Sequence, residues 1–232
     1  IVNLPGNGKY DPSKPLIYKV RMDGTIAADI VCYVDDNRVT AVSEEDAWRS
    51  SSRVAKSASW LGLQDAARKR RPPSQRPGPW AGCVAYVEKD DVKKSVTQKR
   101  WEKTKAGVQW LDRELRFVSG ESAAGEGTGK MMHKPMESIR GFLNYVTRTY
   151  ESITPYLKGV HLTLDHWRPG RDEDGWKITN SLDERLDYQT KKQPPATVKP
   201  ATRLRGDIDA LLDLTSSQHP PEVSVRAARI AM

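Results

Sequence analysis

The stretch ADIVCYVDDNRVTAV (28–42) limits the possible folds more than any other part of the chain. Ile30, Val31, Tyr33 and Val34 form one run of strand-forming residues. Val39, Thr40 and Val42 form a second, and Asp35 and Asp36 lie between the two. Two short β-branched and aromatic runs parted by polar residues read as an antiparallel hairpin. Its tip would carry two adjacent carboxylates. Asp is common in tight turns, so ordinary turn chemistry is one reading of the pair. Two carboxylates at one turn can also hold hard divalent cations through oxygen ligands, and that is the other reading.

Two strands alone are marginal in water, so the surrounding segments matter. LIYKVRM (16–22) precedes the hairpin, with a turn at Asp23-Gly24, and reads as a further antiparallel strand. The spacing then predicts a helix over 43–61. Ser43 is a suitable N-cap with Asp46 three residues on. Ala47, Val54, Ala58 and Leu61 fall on one face, and Gly62 is placed to end the helix. WAGCVAYVE (80–88) reads as another strand. Two longer amphipathic helices come next. In 97–116, Trp101, Thr104, Val108, Leu111 and Leu115 line one side; in 133–150, Met136, Ile139, Leu143, Val146 and Tyr150 do so, with Pro135 in the first turn. A shorter helix starts near Thr154-Pro155 and carries Leu157 and Val160. Trp48, Trp60, Trp101 and Trp110 occur at helical spacing and are expected in the core.

SGESAAGEGTG (119–129) reads as a flexible linker. GEGTGK within it lacks the spacing of a phosphate-binding loop, because Met131 rather than Ser or Thr follows Lys130. Beyond about residue 180 the periodicity fades, and 179–232 reads as a disordered tail with one short helix at DIDALLDL (207–214).

The net charge of +8 and sequence pI of about 9.4 suggest a polyanionic partner. Residues 180–232 hold 8 Lys and Arg against 7 Asp and Glu, or 8 − 7 = +1, which leaves 8 − 1 = +7 for residues 1–179. The excess charge belongs to the region expected to fold. RKRR (68–71) suits either phosphate contacts or nuclear import. Two cysteines, Cys32 and Cys83, in apolar runs do not indicate a disulfide scaffold. A reducing, intracellular compartment is therefore expected, nuclear or cytoplasmic. No apolar run reaches the length of a membrane span, so no membrane partner is expected. His133, His161, His166 and His219 show no metal-ligand spacing with Cys.

Tyr33-Val34-Asp35-Asp36 resembles the Tyr-x-Asp-Asp signature in the palm subdomain of reverse transcriptases. The order of the downstream segments is similar too. The helix ending in Leu61-Gly62-Leu63, with Arg68 to Arg71 after it, looks like the next palm motif. Trp80-Ala81-Gly82 in WAGCVAYV looks like the strand that grips the primer end. The helix 97–116 and MESIRGFLNYVTRTYESITPYLKGVHLTLD resemble the helical thumb. With NLPG, YDPSKPLIYKVR and PYLKGVHLTLDHWRPGRDEDGW, these segments look most like the polymerase of DIRS-type retrotransposons, over about residues 1–178.

The resemblance implies an α+β chain: the C-terminal part of a palm over 1–95, a thumb-like helical region over 96–178, and the tail. It implies nucleotidyl transfer with Asp35 and Asp36 as catalytic metal ligands for Mg²⁺ or Mn²⁺, and Tyr33 positioning the primer end. It implies a primer–template duplex as partner, bound through Arg68, Lys69, Arg70, Trp80, Gly82, Lys99, Arg100 and Lys103. The family also uses fingers and an Asp from a neighbouring palm strand. Asp29 lies on the same strand as the Tyr-x-Asp-Asp turn and is a poor substitute. The chain is therefore expected to be inactive alone and to need the N-terminal polymerase half, or else to be a non-catalytic nucleic-acid-binding module.

Overall fold

A computed structural model describes residues 1–33, 36–63, 70–89, 91–121, 130–178 and 193–225. The chain gathers into two units, Ile1–Ala81 and Gly82–Met232. Residues 82–95, expected with the first region, thus belong to the second unit.

In the first unit β1 (Tyr18–Val20), β2 (Ile26–Tyr33) and β3 (Asp36–Ala41) form an antiparallel sheet in the order β1-β2-β3. The expected hairpin is present: Ala28 pairs with Ala41, Ile30 with Val39, and Tyr33 with Asp36. The joining residues Val34 and Asp35 lie outside the described residues. Helix α1 (Glu44–Trp60) packs on β2 and β3. Its start is capped as expected, with the Ser43 hydroxyl accepting from the Asp46 amide at 3.1 Å. Its end is a Schellman turn: Gly62, at φ +78°, donates to the Ser59 carbonyl and Leu63 to that of Ala58.

The expected core role of two tryptophans is corrected here. Trp48 is 57% exposed and Trp60 86%. Trp48 lies about 100° around α1 from the sheet-facing Ala47, and Trp60 sits in the last turn. The face turned inward carries small side chains, Ala47, Ser50 and Val54. Leu61, expected on that face, is exposed as well. β4 (Pro79–Trp80) ends the unit.

The second unit contains β5 (Cys83–Glu88) and β6 (Asp91–Ser95), then α2 (Gln98–Val118) and α3 (His133–Val146). A 3-10 helix (Glu151–Leu157) runs into α4 (Lys158–Asp165). The expected inner faces of both long helices are buried: Trp101, Thr104, Val108, Leu111 and Leu115 on α2; Met136, Leu143 and Val146 on α3. The α2–α3 seam is tight at Gly107, where an added Cβ would stand 3.3 Å from Ile139.

Residues 193–225 correct the expectation of a disordered tail. α5 (Leu204–Leu214) buries Leu204, Ile208 and Leu211 completely, and it packs on α2, α4 and the 3-10 helix. Its apolar positions recur at i, i+4 and i+7, a stripe wide enough to complete the core between flanking proline-rich segments. Asp207, nearly buried, accepts from the Gly159 amide at 2.6 Å and from Arg203. β7 (Val223–Ser224) then pairs antiparallel with β6 at Lys93 and Lys94. Residues 179–192 and 226–232 of the tail, and most of the linker 119–129, lie outside the described residues.

Candidate functional site

Of the sequence-predicted acids, Asp36 is placed at the end of the β2–β3 hairpin. Asp36 opens β3 and is exposed. It pairs with position 33, which places it next to the tyrosine of the signature. Beside this pair the Cys32 thiol donates to the Asn37 side-chain oxygen at 2.7 Å. Asp35 lies outside the described residues.

Asp29 can be tested as a second ligand. Positions 29 and 33 are an even number apart on β2, and Asp36 faces 33 across the ladder, so Asp29 and Asp36 share a face of the sheet. Four residues at about 3.3 Å each separate them by roughly 13 Å. Carboxylates that share a Mg²⁺ ion each approach it to about 2.1 Å, so these two cannot. Among the described residues no group of three or more His, Cys, Asp or Glu side chains is placed to hold a metal. Of the two acids that the resemblance makes metal ligands Asp36 alone is described, and Asp29 is too far from it to share an ion.

The predicted nucleic-acid residues divide between the units. Arg68 and Lys69 lie outside the described residues; Arg70 is exposed and Trp80 half-buried in the first unit. Gly82, Lys99, Arg100 and Lys103 belong to the second. Gly82 and Arg100 are brought together: the Arg100 guanidinium donates to the Gly82 carbonyl and, at 3.3 Å, reaches the Tyr145 hydroxyl. It also lies 4.8 Å from the centre of the Tyr145 ring. Gly82 sits at φ +91°, and a Cβ there would overlap the Tyr145 ring, so both the backbone and the packing require glycine. Lys103 lies over Phe142 at 4.5 Å. Arg100 and Lys103 thus clamp α3 onto α2 through cation–π contacts. Lys99, one residue away on α2, is exposed.

Cations that sequence reasoning passed over surround the same end of α2. Arg148 covers the Tyr145 ring at 5.3 Å. Lys94 reaches the Arg148 carbonyl at 3.3 Å and lies 3.5 Å from the Glu151 carboxylate. Lys93 pairs with Glu88, whose hydrogen bond raises the ammonium's pKa, and lies 3.7 Å from Glu222. The visible signal was Lys93-Lys94 beside the strand 80–88. What could not be read was the return of 215–225 across this end. There the Trp101 indole donates to the Ser217 carbonyl at 2.9 Å, and the Tyr150 hydroxyl donates to that of Pro221.

Comparison of the chain with protein-family models, with curated proteins and with solved structures finds no match. Among the described residues no helix is long and apolar enough to cross a membrane.

Proposed function

We propose that this chain is the C-terminal palm and thumb portion of a reverse transcriptase of the DIRS-type retrotransposon class, and that alone it binds nucleic-acid backbone without polymerising. The observation that carries the reading is the register of the β2–β3 hairpin. Tyr33 and Asp36 face one another across a two-residue connection that contains Asp35, with α1 packed on the same two strands. A Tyr-x-Asp-Asp turn requires that local order.

Catalysis belongs to the complete polymerase, because Asp29 is too distant to stand in for a carboxylate on a neighbouring strand. The alternative reading, a binding module that keeps no catalysis, is supported by that same mismatch. Primer extension with Mg²⁺ separates the two. The chain alone should extend nothing. Supplying the N-terminal polymerase half should restore synthesis, and Asp35→Asn should abolish it. Restored synthesis that tolerates Asp35→Asn would return the Asp pair to turn chemistry. No synthesis with the added half would favour the binding module.

Binding by the chain alone should be weak and steeply salt-dependent, since phosphate contacts release counterions. Lys99→Gln should weaken binding to all sequences alike and lower the salt slope by about 1. Affinity that stays constant from low to high salt would remove the nucleic-acid surface from both readings.

A further inference from the structure

A cavity of about 250 Å³ opens in the second unit between α3 and the end of α4. His133, Glu137 and Arg140 line it from α3 at i, i+4 and i+7, one helical face. Asp165, Trp167 and Arg168 line the opposite side, while Leu164 and Pro194 add apolar wall. Two of its lining side chains carry buried donors that are left over. Among the described residues the buried Nε–H of Arg140 and the Nε1–H of Trp167 find no acceptor; outside the lining, Arg171 Nε and His166 Nδ1, which flank this stretch, are buried without a partner as well. Donors buried this way are costly unless something accepts from them.

The two carboxylates already have cations. Asp165 lies 3.3 Å from Arg168 and 3.7 Å from Arg171; Glu137 lies 3.9 Å from Arg140. The lining guanidiniums, Arg140 and Arg168, balance the two lining carboxylates, 2 − 2 = 0, and Arg171 adds a third cation behind Asp165. A ligand that complements it offers acceptors and negative charge. The volume is below the roughly 300–1,000 Å³ of drug-sized pockets and about eight times a water's ~30 Å³ share of the liquid. We propose that this cavity binds a small oxyanion of the phosphate class, as free phosphate or as a monoester whose short organic part lies on Leu164, Pro194 and the Trp167 ring. Arg140 and Trp167 donate to its oxygens, and Arg168 stands at the same wall. These residues lie within or beside the thumb-like segments, but none carries a catalytic or nucleic-acid-binding role in the polymerase reading, so phosphate binding here is tested separately from it.

The test is an NMR titration of the full chain with inorganic phosphate against chloride at matched ionic strength, following the Trp167 indole N–H, assigned by its loss in Trp167→Phe. A saturable shift is expected. Arg140→Gln should weaken binding roughly tenfold or more, as for a lost hydrogen bond to a charged group. Glu137→Gln should tighten it, a gain that misfolding cannot produce. Glycerol phosphate distinguishes the sources: tighter binding than inorganic phosphate assigns a monoester, and equal or weaker binding assigns free phosphate. A shift that does not saturate, unchanged affinity in Arg140→Gln, or weaker binding in Glu137→Gln would overturn the proposal.

Discussion

Among the described residues of the first unit Tyr18, Ala27 and Ala28 are the apolar side chains that bury almost completely, whereas the second buries Trp101, Leu111, Met136, Leu143, Leu157, Leu204 and Ile208 among many others. Trp48, Trp60, Leu61, Leu63, Val42 and Met22 of the first unit remain largely exposed. What orders the first unit is mostly polar: a ladder of backbone hydrogen bonds, a side-chain knot at Asn3, and the Arg21–Asp46 ion pair at 2.6 Å. A unit ordered by directional bonds keeps its shape but has little apolar burial to offset chain entropy. Its backbone is therefore expected to open to hydrogen exchange well below the free energy that protects α2 and α5.

The largest effect should come from the second unit's core. Ile208→Ala removes a fully buried side chain from α5 and should cost roughly 2–5 kcal/mol, read as a fall in the urea midpoint of that unit. Val39→Ala, on half-buried β3, should cost under about 1 kcal/mol. Equal costs would mean the units share one kind of stability. Next comes Asn3→Ala. The Asn3 amide donates to the carbonyls of Asp11, Lys14 and Pro15 and accepts from the Asp11 amide. Its loss should cost about 1–3 kcal/mol and speed exchange in 1–30 while α2 and α5 keep their protection. A global loss of protection would contradict the separation.

Acid should produce the smallest difference. The guanidinium bond from Arg21 holds Asp46 below the usual carboxylate range. Burial raises Asp112, but hydrogen bonds from Arg205 and Arg116 outweigh it, and its pKa is also lowered. A depressed carboxylate adds stability above its unfolded pKa of about 3.9, and that stability is lost as pH falls through the folded value. Between about pH 5 and the folded values both units should weaken, and Asp46→Asn and Asp112→Asn should each flatten the decline in their own unit. A variant as acid-sensitive as the parent would show its pair to be idle.

The elements legible in the sequence were those whose burial is periodic. Val108, Leu111 and Leu115 repeat at helical spacing, and the two runs around Asp35-Asp36 are built of β-branched and aromatic residues, as strands are. Ser43 and Gly62 marked both ends of α1. The misreadings have physical causes. Trp48 and Trp60 have helical spacing, but spacing cannot reveal that α1 rests on two strands, β2 and β3, through its face of small side chains. The segment 193–225 is dense in proline, serine and threonine and resembles a tail locally; its apolar stripe at Leu204, Ile208 and Leu211 becomes a core only because α2 and α4 lie beside it. At the candidate site, Tyr33 and Asp36 were readable as neighbours. The clamp of Arg100 on Gly82 and Tyr145 was not, because it joins residues 18 and 45 positions apart.

The position of α5 also sets a timetable for synthesis. The apolar faces of α2, the 3-10 helix and α4 are made first, and the helix that covers them ends 214 − 165 = 49 residues after α4. At about 5–20 residues per second, these faces leave the ribosome roughly 2–10 s before their cover is complete. The nascent chain therefore passes through an interval in which its most hydrophobic surface is available to chaperones and to other nascent chains, and a ribosome pause between codons 165 and 214 would lengthen that interval without altering a single residue of the finished protein.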